Sequence, residues 1–64
     1  MNLYAYLVRN LQKPRTKIII ISKDPGIAVE KSGFHKAEVT KICEARYFLK
    51  HEKALQKIYL GGKK

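Results

Sequence analysis

Cysteine occurs once in the 64 residues, at Cys43, so no disulfide can form within the chain. A lone reduced thiol suits a cytosolic protein, and the expected location is cytoplasmic. Glycine is scarce: Gly26, Gly33, Gly61 and Gly62 lack the spacing of a phosphate-cradling loop. No apolar run approaches the ~20 residues of a membrane span, and no membrane partner is expected. The apolar stretch at residues 3–8 is too short for the core of a signal peptide and has no basic region before it. Acidic residues are few, five in all, and residues 1–22 contain none.

These shortages also argue against catalysis and cofactors. His35, Cys43 and His51 are evenly spread, without the close pairs that zinc sites use, so no metal and no cofactor is expected. The carboxylates are scattered among lysines. Cys43 with His35 or His51 is the one nucleophile–base pairing the sequence offers. Free cysteine more often packs as a small hydrophobe, and both histidines sit beside lysine in polar segments. A non-enzyme is expected, because a site needs nucleophile, base and orienter in one pocket and this chain has little room for one.

What the sequence does have is positive charge. Fourteen Lys and Arg against five Asp and Glu give a formal net charge of +9. Such an excess attracts polyanions at long range, although charge also serves solubility. The densest cluster is Arg9, Lys13, Arg15 and Lys17 around Pro14, with no acid among them. A hairpin tipped by such a loop can lay charges along a phosphate backbone. The C-terminal segment adds Lys50, Lys53 and Lys57 among apolar residues, a pattern that a solvated helix face shares.

Local pattern then suggests a fold. "NLYAYLVRN" alternates, with Leu3, Ala5 and Leu7 on one strand face and Tyr4, Tyr6 and Val8 on the other. "KIIII" reads as a second strand, antiparallel to the first, joined by a mobile loop over residues 10–16. That strand is apolar on both faces, which points to a central position with cover above and below. "DPG" then poses a choice between a helix start and a type II turn. Asp24 as N-cap, Pro25 at the first helical position and Gly33 as C-cap favour a short helix. Phe34 follows as the hydrophobic contact beyond the cap.

Residues 36–49 read as a third strand that reaches Phe48, and "KHEKALQKIYL" as a closing helix ended by Gly61-Gly62. The expected fold is therefore α+β, a single ββαβα domain over residues 1–64 with one antiparallel or mixed sheet. Residues 61–64 are expected to be a flexible tail. The rival arrangement is an N-terminal hairpin followed by one long helix over about residues 36–60. If the third strand neighbours the first, Arg46 and Phe48 join Tyr4 and Tyr6 in a surface that could stack bases, although so small a chain has the stronger need of its tyrosines as core.

The expected site is thus Arg9, Lys13, Arg15, Lys17 and Arg46, and the expected partner a nucleic acid, DNA or RNA. The alternatives are an acidic protein surface, or a protein partner met through a sheet edge or apolar face. So short a chain covers an apolar strand poorly, and a homodimer is expected as its staple.

Overall fold

The computed structural model describes residues 2–61. The element order is β1 (Tyr4–Asn10), β2 (Lys17–Ser22), α1 (Pro25–Ser32), β3 (Ala37–Glu44), α2 (Ala45–Lys50) and α3 (Glu52–Leu60). The three strands form one antiparallel sheet in the order β2-β1-β3. This is the expected α+β domain, with the closing helical segment divided in two.

The position of β2 differs from the sequence expectation. The isoleucine strand is an edge, and β1 is central. The reason lies in what an apolar pattern reports. It records cover above and below the sheet, and not in-plane neighbours. Ile18 and Ile20 pack against the core beneath α1, while the main strand contact of α3 is with β2. Both faces of β2 therefore meet helices although one of its edges has no strand beside it.

The short helix α1 forms as its end signals require. Asp24 is extended (φ −152°, ψ 162°), and its Oδ1 accepts the Ile27 N–H at 2.8 Å. Gly33 ends the helix with φ 74°, a left-handed conformation that strains any residue carrying a Cβ. Phe34 then packs onto the core of Tyr6, Val8 and Ala28, joined by Tyr4, Ala37 and Val39. Ala28 and Val8 are fully buried; the small alanine lets α1 sit close to the sheet.

The other face of β1 carries Ala5, also fully buried. Strand alternation places it opposite Tyr4 and Tyr6, away from α1, so its cover comes from α2. The two buried side chains of α2 are Ala45 and Phe48, and α2 touches β1 and β3. The third strand therefore stops four residues earlier than expected, at Glu44, and Arg46 and Phe48 are helical. The turn into α2 is fixed by Ala45 N–H donating to Leu3 C=O at 2.9 Å. A long single helix does not form either. The chain bends at His51 (φ −122°, ψ 33°), so α2 stays on β1 and β3 while α3 reaches β2. Gly61 caps α3 with φ 70°, and the rest of the expected tail lies outside the described residues.

The caps give a test. Asp24→Ala should cost about 0.5–2 kcal/mol and Asp24→Asn only a few tenths, because asparagine still accepts the Ile27 N–H. Gly33→Ala should cost about 1–2 kcal/mol through its left-handed backbone. Thermal unfolding of the three variants checks this ordering; an Asp24→Ala as stable as wild type would contradict the capping role.

Candidate functional site

The register of β1 decides what surrounds the basic loop. Asn10 N–H donates to Thr16 C=O at 2.9 Å, and Leu11 N–H donates to Lys36 C=O at 2.9 Å. Each residue of a strand turns both its backbone groups to the same side. Tyr4, Tyr6, Val8 and Asn10 thus bond toward β2, and Ala5, Leu7, Arg9 and Leu11 toward β3.

The loop over residues 11–16 is a built turn. The Asn10 side chain Oδ1 accepts the Gln12 N–H at 2.9 Å and the Lys13 N–H at 3.3 Å. Lys13 N–H also donates to Asn10 C=O, and Thr16 N–H to Lys13 C=O. Such an asparagine turn fixes the backbone without a glycine. The loop expected to be mobile is closed by its own hydrogen bonds. Leu11, Gln12, Lys13, Pro14, Arg15 and Thr16 all point their side chains to solvent.

Because Asn10 pairs with Ala37, the link from α1 to β3 lies at this same end of the sheet. It brings exposed Lys36 and His35 beside the loop. Lys36 is a cluster member that sequence spacing could not find, since it follows the loop by some twenty residues and only strand pairing unites the two.

The expected members differ in availability. Arg9 sits between Lys17 and Glu38 in one row across the sheet. Its Nη2 donates to Glu38 Oε1, the one ion pair found among the described residues. Arg9 is half-buried, and its charge is already met. Lys13, Arg15 and Lys36 are exposed and have no carboxylate within ion-pair distance among the described residues. Lys17 is half-buried at the start of β2.

Arg46 is not brought to this cluster. It lies in α2, next to the Ala45–Leu3 contact, at the end of β1 opposite the loop. The aromatic surface does not assemble on an open sheet. Tyr6 is 4% exposed and Phe48 3%, both within the packed interior. Tyr4 packs against that core, edge-on to Tyr6 at 6.3 Å between ring centroids, with Lys41 Nζ 4.6 Å from its own centroid. α1 covers the tyrosine face, so those rings serve packing.

The remaining chemistry-bearing groups are dispersed. Among the described residues no group of three or more His, Cys, Asp or Glu converges as a metal site would require. His35 precedes β3, whereas Cys43 is near its far end, so roughly 20 Å of strand separates them at about 3.3 Å per residue. His51 instead stacks on Tyr47, with ring centroids 4.6 Å apart. Burial first, and the neighbouring Glu44 charge second, push the Cys43 thiol up from its usual 9.0. No helix among the described residues is long and apolar enough to cross a membrane.

Comparison with known proteins finds no matching family model, no similar curated protein and no similar solved structure.

The Cys43 environment predicts a sluggish thiol. At neutral pH its alkylation by iodoacetamide should be slower in the folded protein than in denaturant, because the thiolate is the nucleophile. The rate should rise with pH beyond the range in which a free cysteine levels off. Equal rates folded and unfolded would show an open, unshifted thiol.

Proposed function

We propose that this protein binds nucleic acid through the basic end of its sheet, with Lys13, Arg15 and Lys36 as the principal phosphate contacts. The carrying observation is that the hairpin turn and the α1–β3 link lie side by side, tied by the Leu11–Lys36 hydrogen bond. Their lysines and arginine are solvent-exposed and unpaired among the described residues. A backbone already closed by hydrogen bonds loses little order on binding, so less of the electrostatic gain is offset. Phosphate contacts of this kind orient a duplex or single strand without reading its sequence. The net charge of +9 adds long-range attraction to any polyanion. Lys17 contributes at the margin, and Arg46 contributes from a separate surface. Arg9 serves the fold first, through Glu38. Cytoplasmic residence and the absence of catalytic activity belong to the same reading.

The test is fluorescence anisotropy with labelled DNA and RNA oligonucleotides across a salt series. Lys13→Gln with Arg15→Gln should weaken binding for all sequences alike and reduce the salt slope by roughly two, at about 0.9 per phosphate contact on duplex DNA. Lys53→Gln with Lys57→Gln makes the same charge change on α3 and is the control. Equal behaviour of the two double variants would leave net charge as the whole effect and remove the loop as a site. No binding by wild type at ~50 mM salt, where such contacts are strongest, would overturn the reading altogether.

A gain of function should accompany the loss. Glu38→Gln releases Arg9 from its ion pair, and an exposed pair of this kind contributes only about 0–1 kcal/mol to stability. The variant should stay folded, bind oligonucleotides more tightly and show a salt slope steeper by up to about 0.9. Unchanged affinity and slope would show that Arg9 is outside the reach of phosphate.

A further inference from the structure

The two edges of the sheet are built differently. On the β3 edge, Ala5 faces Cys43 while Tyr6 faces Lys41, so Ile42 is an extra residue and forms a bulge. Glu38, Lys41 and Glu44 add charges along that strand. A bulge and charges are the usual means of blunting an edge. The β2 edge has no bulge, and Lys17 at its start is its only charge. From Lys17 to Ser22 its register against β1 is unbroken, and four consecutive isoleucines occupy the middle. The register turns the backbone groups of Ile18, Ile20 and Ser22 toward β1. Those of Lys17, Ile19 and Ile21 point away from the sheet, and no backbone or side-chain hydrogen bond meets them among the described residues.

We propose that the β2 edge pairs antiparallel with the β2 edge of a second copy, on a two-fold axis at Ile19, so that two three-stranded sheets become one of six strands. The edge chemistry allows few registers, because an outward-pointing residue must face another. A two-fold at Ile19 sets Ile19 against the partner's Ile19 and Lys17 against the partner's Ile21. Ile18 then faces the partner's Ile20. A two-fold at Ile20 would set Lys17 against the partner's Lys23, a like-charge pair that destabilises a ladder. The Ile19 register avoids that pair within the strand. It is self-complementary, and this selects a copy of the same chain over an unrelated strand.

The helices agree with this arrangement. An axis normal to the sheet keeps each element on its own face, so both copies of α3 flank the new junction on one side. α3 has its main strand contact with β2, and on it Ile58 is 69% exposed and Leu60 37%. Apolar area on α3 adds to the short strand contact, which alone is small for a stable interface. The two basic loops fall at opposite ends of the joined sheet. The inference is independent of nucleic-acid binding and has the reverse salt dependence. Two copies of charge +9 repel, so screening strengthens the dimer while it weakens a phosphate contact.

Sedimentation equilibrium tests this on wild type and Ile19→Pro at tens of micromolar protein, with salt raised from about 0.05 to about 0.5 M. Proline at Ile19 removes an outward N–H, which an edge strand tolerates, together with the half-buried isoleucine side chain. The expected result is a wild-type mass approaching twice 7.4 kDa, tighter at high salt, and a 7.4 kDa mass for a folded Ile19→Pro. A wild type that stays at 7.4 kDa at both salts, or an Ile19→Pro that still dimerises, overturns the proposal. Should Ile19→Pro fail to fold, amide hydrogen exchange on wild type decides. Ile19 and Ile21 amides protected at high protein concentration and unprotected at low support the edge pairing, and concentration-independent exchange refutes it.

Discussion

The double hydrogen bonding of β1 is the constraint on which the other features depend. One strand of seven residues gives alternate backbone groups to β2 and to β3. This fixes the order of the sheet. It also places the β1–β2 turn next to the α1–β3 link, because Asn10 is opposite Thr16 on one side and Ala37 on the other. At its far end the same ladder continues into the Leu3–Ala45 bond, which starts α2 and sends Phe48 over the face that α1 leaves uncovered. Shifting β1 by one residue would send Val8 to the wrong face and separate Lys36 from the loop together.

Packing and charge are divided between the middle and the ends of the molecule. The interior is thin: its buried apolar side chains are Ala5, Tyr6, Val8, Ala28, Ala45 and Phe48 among the described residues. Three alanines in so small a set mean that closeness of helix to sheet, more than side-chain bulk, holds the layers together. Tyr6 and Phe48 belong to that interior and are unavailable for stacking on bases. Charge goes where backbone turns already require solvent, at the hairpin tip and the α1–β3 link. A hydrogen-bonded turn carrying Lys13 and Arg15 is thus compatible with the fold's needs, whereas Arg9, inside the ladder, takes Glu38 as its partner.

Local signals in the sequence are legible and non-local ones are not. The Asp24, Pro25 and Gly33 signals gave α1 because capping depends on neighbours a few residues away. The alternation of Tyr4, Tyr6 and Val8 gave β1 and its faces. Strand order was missed because four isoleucines report burial by layers and say nothing about which edge is paired. The end of β3 was placed too late because Arg46 and Phe48 continue a plausible strand alternation. What turns them into a helix is the contact of Ala45 with Leu3, forty residues earlier in the chain. The bend at His51 has no glycine or proline to announce it. Of the site, Lys13 and Arg15 were evident as a local cluster. Lys36 required the pairing of β1 with β3, and the quenching of Arg9 required knowing that Glu38 is its cross-strand neighbour.

We propose that the basic end of the sheet, and not the general charge of the surface, meets nucleic acid. The most direct measurement of this is residue-resolved NMR of the labelled protein during titration with a short oligonucleotide at low salt. The account predicts shifts in the amides of residues 10–17 and 35–37, with α2 and α3 unchanged. Shifts spread evenly over every exposed lysine, or concentrated on α3, would contradict it.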